Sequence, residues 1–186
     1  MVRDSIMEPG TENRAKLASE LCEKGLWREM LAFAQKWREE NAADYRAYYY
    51  LGLGLTGLHK FSQAEVAYRR ALAINPGDFE VWNGLAELLY RNLRRQADGI
   101  QCLEQAMKIN PRHKLGWLNL ATLNGRMGCH DKALECADRA IALDQKFVEA
   151  HLSRAAAARA LGKMDILQEV CHELATLEPE NFRRVS

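Results

Sequence analysis

The sequence predicts an all-α fold, a stack of about five helix–turn–helix repeats. Three observations carry that prediction. Pro76, Pro111 and Pro179 are 35 and 68 residues apart, close to one and two periods of a fixed unit. Within a period, large and small residues recur at helical spacing, as in Tyr48, Leu51-Gly52 and Leu55, then Ala64, Tyr68 and Ala71. Only 4 prolines and 12 glycines punctuate the 186 residues, which suits helices.

Residues 1–10 are polar, end in Pro9-Gly10 and read as a flexible lead-in. The first repeat, 11–44, has Leu17-Ala18 at the large–small pair and Gly25 in the turn. It is degenerate: Trp37 replaces a small residue and Ala42 a proline. The second, 45–78, is the most regular. Leu58-His59-Lys60-Phe61 is its turn, Ser62 and Glu65 read as a capping box, and Asp78 is placed to cap the next helix.

The third repeat, 79–113, has Trp82, Leu85-Ala86, Leu89, Leu103 and Ala106. Its extra residue is assigned to the turn 92–98. The fourth, 114–147, has Trp117, Leu120-Ala121, Gly128, Ala133, Ala137 and Ala140, with Asp131 as expected cap of its second helix and Gln145 in the proline place. The fifth, 148–181, departs most. His151 and Arg154 stand where Trp and Leu are usual, and the repeat reads either as a cap for the array or as part of a longer chain. Residues 182–186 form a short tail.

This order of aromatic, Leu-Gly, Leu, Ala, aromatic, Ala and Pro resembles the tetratricopeptide repeat (TPR), a unit of roughly 34 residues. The resemblance covers residues 11–181 and is densest in the second to fourth repeats. It implies a right-handed superhelical solenoid whose inner groove is lined mainly by the first helix of each pair. Function is then expected on first-helix residues that the repeat signature leaves unused: Arg46, Tyr49, Tyr50 and Leu53; Asn83, Glu87, Tyr90 and Arg91; Leu118, Asn119, Thr122 and Arg126; Leu152, Ala156 and Arg159.

Three sets stand out. Tyr49, Tyr50 and Leu53 make an aromatic patch suited to an apolar anchor of a peptide. Arg91, Arg126 and Arg159 recur near the ends of successive first helices, a basic ladder for an acidic or carboxylate group. Asn83 and Asn119 are inner-face amides with donor and acceptor for a peptide backbone. Some TPR domains hold the acidic tails of heat-shock chaperones with a carboxylate clamp. Its places are here Asn83, Glu87, Asn119, Glu149 and Ser153, or Tyr49, Leu53, Gly84, Leu115 and Asn119 one repeat earlier; neither set carries the clamp.

Lys+Arg 26 against Asp+Glu 25 leaves a net charge of +1, so no global field draws nucleic acid or an anionic membrane. No run approaches the ~18 apolar residues of a membrane span. The 5 cysteines are an odd number without a CxxC pair, read as reduced and mostly buried in a cytoplasmic protein. Cys129-His130 and Cys171-His172 match no zinc template, and there is no phosphate loop, GxSxG or HExxH. No metal, cofactor or catalysis is expected. The reading is a scaffold or chaperone-like adaptor that binds a protein or peptide. The alternatives are a homo-oligomer joined through its end repeats, motivated by Leu167, Val170, Leu174 and Leu177, or the substrate-presenting region of a larger enzyme or a secretion or pilus assembly complex.

Overall fold

The computed structural model describes residues 11–177, so the lead-in, Pro179 and the tail lie outside the described residues. Those residues are helical, in the order α1 Thr11–Glu23, α2 Trp27–Glu40, α3 Tyr45–Gly57, α4 Phe61–Ile74, α5 Phe79–Glu87, α6 Gln96–Ile109, α7 Lys114–Arg126, α8 His130–Leu143, α9 Val148–Ala160 and α10 Met164–Leu177. The all-helical expectation holds. The chain divides into two compact units at Arg94 and Arg95, with α1–α5 in the first and α6–α10 in the second.

In unit 1 the packing centres on Tyr68, which is 1% exposed. A β-carbon on Gly52 would come within 2.8 Å of its ring, and one on Gly84 within 3.1 Å. The ring therefore lies against bare backbone of α3 and α5, which is why glycine occupies the small place of the Leu-Gly pair. Burying such a ring stabilises by about 2–3 kcal/mol. In unit 2, Ala133, Leu134 and Ala157 join Leu161 and Ile166, while Ala140, Phe147 and Ala150 pack with Trp117 and Ile141.

Each first helix ends in a left-handed residue: Gly25, His59, Arg94, Gly128 and Gly162. The amide that follows it in four of these turns bonds back across the helix end, as Lys60 does to the Leu55 carbonyl at 2.8 Å. This turn, not a side chain, starts the second helix. The capping box is thereby corrected: α4 begins at Phe61 after Lys60 with no side-chain cap, and Glu65 reaches forward to Arg69 at 2.8 Å. Asp131 is corrected likewise. It lies in the first turn of α8, behind Cys129 at the cap place, and pairs with Lys163.

First helices, by contrast, are capped by side chains. Asp44, Asp78 and His113 accept from the amides of Arg46, Val81 and Gly116. The junctions before them share one device. Asn41, Asn75, Asn110 and Asp144 each turn a side-chain oxygen onto the amide two residues on, at 3.0–3.2 Å. The extra residue of the third repeat is a further correction. It widens the end of α5 into a π turn, Leu88–Asn92, in which the Leu93 amide bonds to Leu88 at 3.1 Å. Arg94 is one place further from its helix start than the other left-handed residues are from theirs, so the insertion precedes it.

Candidate functional site

In unit 2, α7 and α9 are neighbouring first helices, and between them runs an open furrow of about 520 Å³. From α7 it takes Leu118, Ala121, Thr122, Gly125 and Arg126, spaced three and one apart as one helix face. Leu152 and Ala156 come from α9, with Glu149 and Ser153 beside them. Ala133 and Ala157 close the bottom. Alanine and glycine here keep the floor low, and Leu152, 54% exposed, stands beside it in water. Arg126 is exposed at the edge and forms no ion pair among the described residues.

The furrow thus brings together five expected residues, Leu118, Thr122, Arg126, Leu152 and Ala156. Asn119 is half-buried and does not line it, and Arg159 is exposed at the end of α9. Ala121, Gly125, His130 and Ala133 were not among the expected residues. For Ala121 and Gly125 the signal is small size on the face of α7 that carries Leu118 and Thr122, while His130 and Ala133 come from α8 and carried no such signal.

Unit 1 departs from expectation. Tyr50 is 9% exposed and stacks on Trp37, with ring centroids 5.9 Å apart. Its hydroxyl reaches the Ala15 carbonyl at 3.2 Å and Ser19 at 3.1 Å. It packs on the first repeat because Trp37, in a place usually small, offers a flat apolar partner. Tyr49 is wedged between Tyr50 and Tyr68, at 5.1 and 6.1 Å. Burial, with Tyr68 beside it, pushes its hydroxyl far above the usual phenol range. Tyr50 does not offer the open surface expected of it, and Tyr49 is half-buried. Leu53 is half-buried. Arg46 clasps the Asp44 cap at 3.0 Å and covers the Tyr45 ring.

Further along unit 1, Asn83 is half-buried with its Oδ1 buried and unbonded among the described residues, and Glu87 is half-buried. Tyr90 and Arg91 lie in the π turn, where Arg91 Nε donates to the Tyr90 hydroxyl at 3.1 Å. Arg91 and Arg126 stand in different units.

In the end helix, Leu167 and Leu177 are half-buried. Val170 and Leu174 of α10 are 0% and 6% exposed, turned inward with α10 packed on α9. Asp165, Gln168, Glu169 and His172 are exposed. Arg154, 15% exposed, meets Asp138 at 2.8 Å, Glu169 at 3.2 Å and Glu173 at 3.3 Å. An ionic knot replaces the leucine of other repeats. All five thiols are free, and Cys129 and Cys171 are exposed rather than buried. Among the described residues no three His, Cys, Asp or Glu side chains cluster as a metal site, and no helix is long and apolar enough to cross a membrane.

Known proteins extend this picture. Tetratricopeptide repeat patterns match residues 46–88 and 79–113. The fold is similar to the crystal structure of MamA protein, with TM-score 0.78 and 17% identity over 93% of this chain and 94% of that one. It is similar to YrrB, described as a TPR protein with an unusual peptide-binding site, at TM-score 0.76 and 16% identity over 91% and 87%. PilW, a type IV pilus biogenesis factor, aligns at TM-score 0.74 and 18% identity over 91% and 78%. Among curated proteins, an N-terminal acetyltransferase A complex subunit-like protein of Schizosaccharomyces pombe is 28% identical over 55% of this chain and 14% of its own length. The peroxisomal targeting signal receptor of Kluyveromyces lactis is 30% identical over 51% of this chain and 17% of its own length. The chain spans about one-sixth of these curated relatives.

Proposed function

The chain belongs to the tetratricopeptide-repeat family, and on that premise we propose that it is a non-catalytic scaffold that binds a segment of a partner protein along its first helices. The repeats are read as 11–44, 45–78, 79–113, 114–147 and 148–181. The furrow between α7 and α9 carries the proposal: an apolar, uncovered trough with Leu152 exposed beside it and one unpaired arginine at its edge. An aliphatic or aromatic side chain of the partner enters over Ala121 and Ala156. A carboxylate follows toward Arg126, where a charge-assisted bond is short and directional.

The peptide-binding site of YrrB and the peroxisomal targeting signal receptors among similar proteins support this reading. The expected ligand is a protein or peptide in the cytoplasm, with no nucleic acid and no cofactor. An end-to-end array remains the second reading: Val170 and Leu174 of α10 are buried with the helix packed on α9, while Leu167 and Leu177 are half-buried.

The test is selection from a display library of natural peptides, run on the wild type and on Arg126→Glu with Leu152→Glu. Both positions are exposed, so the double variant keeps the fold. Peptides with an apolar residue near a carboxylate, enriched on the wild type and lost on the variant, support the reading. Enrichment unchanged by the variant contradicts it.

A further inference from the structure

Unit 1 carries a furrow of a different kind, about 560 Å³ between the second helices α2 and α4, with α3 as its floor. Tyr48, Leu51 and Leu55 line the floor, and Leu31 and Val66 stand on the walls. Val66 is 69% exposed, an aliphatic side chain in mid-helix with most of its surface in water. The equivalent places of the next three second helices hold Gln101, Glu135 and Glu169, the polar residues a solvated helix face carries. In this repeat that polarity is withdrawn.

Two arginines complete the furrow, Arg38 from α2 and Arg70 from α4. The Arg70 guanidinium lies 5.9 Å from the centre of the Tyr48 ring. Neither arginine forms an ion pair among the described residues, and no carboxylate lines the furrow. Nearby cations are matched: Arg69 pairs with Glu65 and Lys36 with Glu40. Two positive charges without a carboxylate partner thus stand at a largely apolar cleft.

We propose that this furrow docks an acidic amphipathic segment of a partner protein. Its apolar side chain seats on Tyr48, Leu51 and Val66, and its carboxylate meets Arg38 and Arg70. Charge complementarity selects this occupant. A carboxylate gains two charge-assisted partners beside a low-dielectric wall, whereas a basic segment meets two like charges. The site is separate from the trough between α7 and α9 and stands or fails independently of it.

The test uses the full chain and a labelled synthetic helical peptide with a leucine stripe edged by glutamates, and a twin with lysines in their place. Binding is read by fluorescence anisotropy. The glutamate peptide is expected to bind at least about tenfold more tightly than its twin. Val66→Gln, which restores the polarity of the other repeats, and Arg70→Gln are each expected to weaken it about tenfold, with circular dichroism unchanged. Leu152→Glu, in the other trough, should leave it untouched. Equal binding of the two peptides, or binding indifferent to Val66→Gln and Arg70→Gln, overturns the proposal. So does loss in Leu152→Glu alone, or a dimer in sedimentation that Val66→Gln dissolves, since a second copy would then be the occupant.

Discussion

His151 Nε2 lies 2.9 Å from the carbonyl of Gln145, the relationship that Trp82 Nε1 has with Pro76 and Trp117 Nε1 with Pro111, each at 2.8 Å. A histidine thus does the work of the repeat's tryptophan. It ties the first helix to the junction before it. The other ring nitrogen adds a contact to Glu173 at 3.1 Å, the carboxylate shared with Arg154. Replacing His151 by Phe keeps bulk but removes both bonds. The expected cost is about 1–2 kcal/mol, the worth of a partly buried bond and its orphaned acceptor. Amides of α10 should then exchange faster than those of α8. Equal exchange throughout would show that α10 is not held by this contact.

Two glycines in first helices predict opposite signs. Gly52→Ala drives a methyl into the Tyr68 ring, and overpacking a buried aromatic costs about 1–3 kcal/mol. Gly125→Ala meets only Ala133, at 3.9 Å, and gains helix propensity worth up to about 1 kcal/mol. Thermal melts should therefore move in opposite directions. Stabilisation by both would mean that Tyr68 does not rest on the backbone of α3.

The chain should lose stability on the alkaline side. Burial pushes the Cys22 and Cys136 thiols from 9.0 to about 11. Burial, then the bond to Asp78, pushes Tyr45 from 10.0 to about 12. In each case the folded chain holds its proton more tightly than the unfolded one. The stabilisation is complete below the unfolded value and is lost as pH rises through the folded value. Denaturant midpoints should be level through neutral pH and fall from about pH 9 upward. A midpoint that rises over that range contradicts the burial of these groups. Exposed Cys129 and Cys171 should be alkylated before buried Cys102 and Cys136.

How much of this was legible in the sequence follows from which forces are local. The place of Tyr68 against Gly52 is written in spacing, because one helix face must meet another at fixed intervals. Asp78 as a cap is equally local. The Ser62 and Glu65 pair misled because the left-handed residue His59, not a polar side chain, decides where α4 begins. Tyr50 misled because its fate depends on Trp37, a departure from the pattern in a different repeat. The π turn follows from the 35-residue spacing only as a count; where the extra residue goes depends on which helix end yields. The trough beside Leu152 was half legible. Its large and charged residues were readable as unused places, while part of its floor, Ala121 and Ala133, is made of alanines that the repeat pattern had already claimed.

The central claim is that the face shared by α7 and α9 grips another polypeptide. It is tested most directly by a photo-crosslinking amino acid at Thr122, exposed on that face, and separately at Lys132, exposed on α8. Each is expressed in the native cell and the products are identified by mass spectrometry. A defined partner peptide joined through position 122 and absent from position 132 is the predicted result. Equal labelling from both positions, or none from position 122, would contradict it.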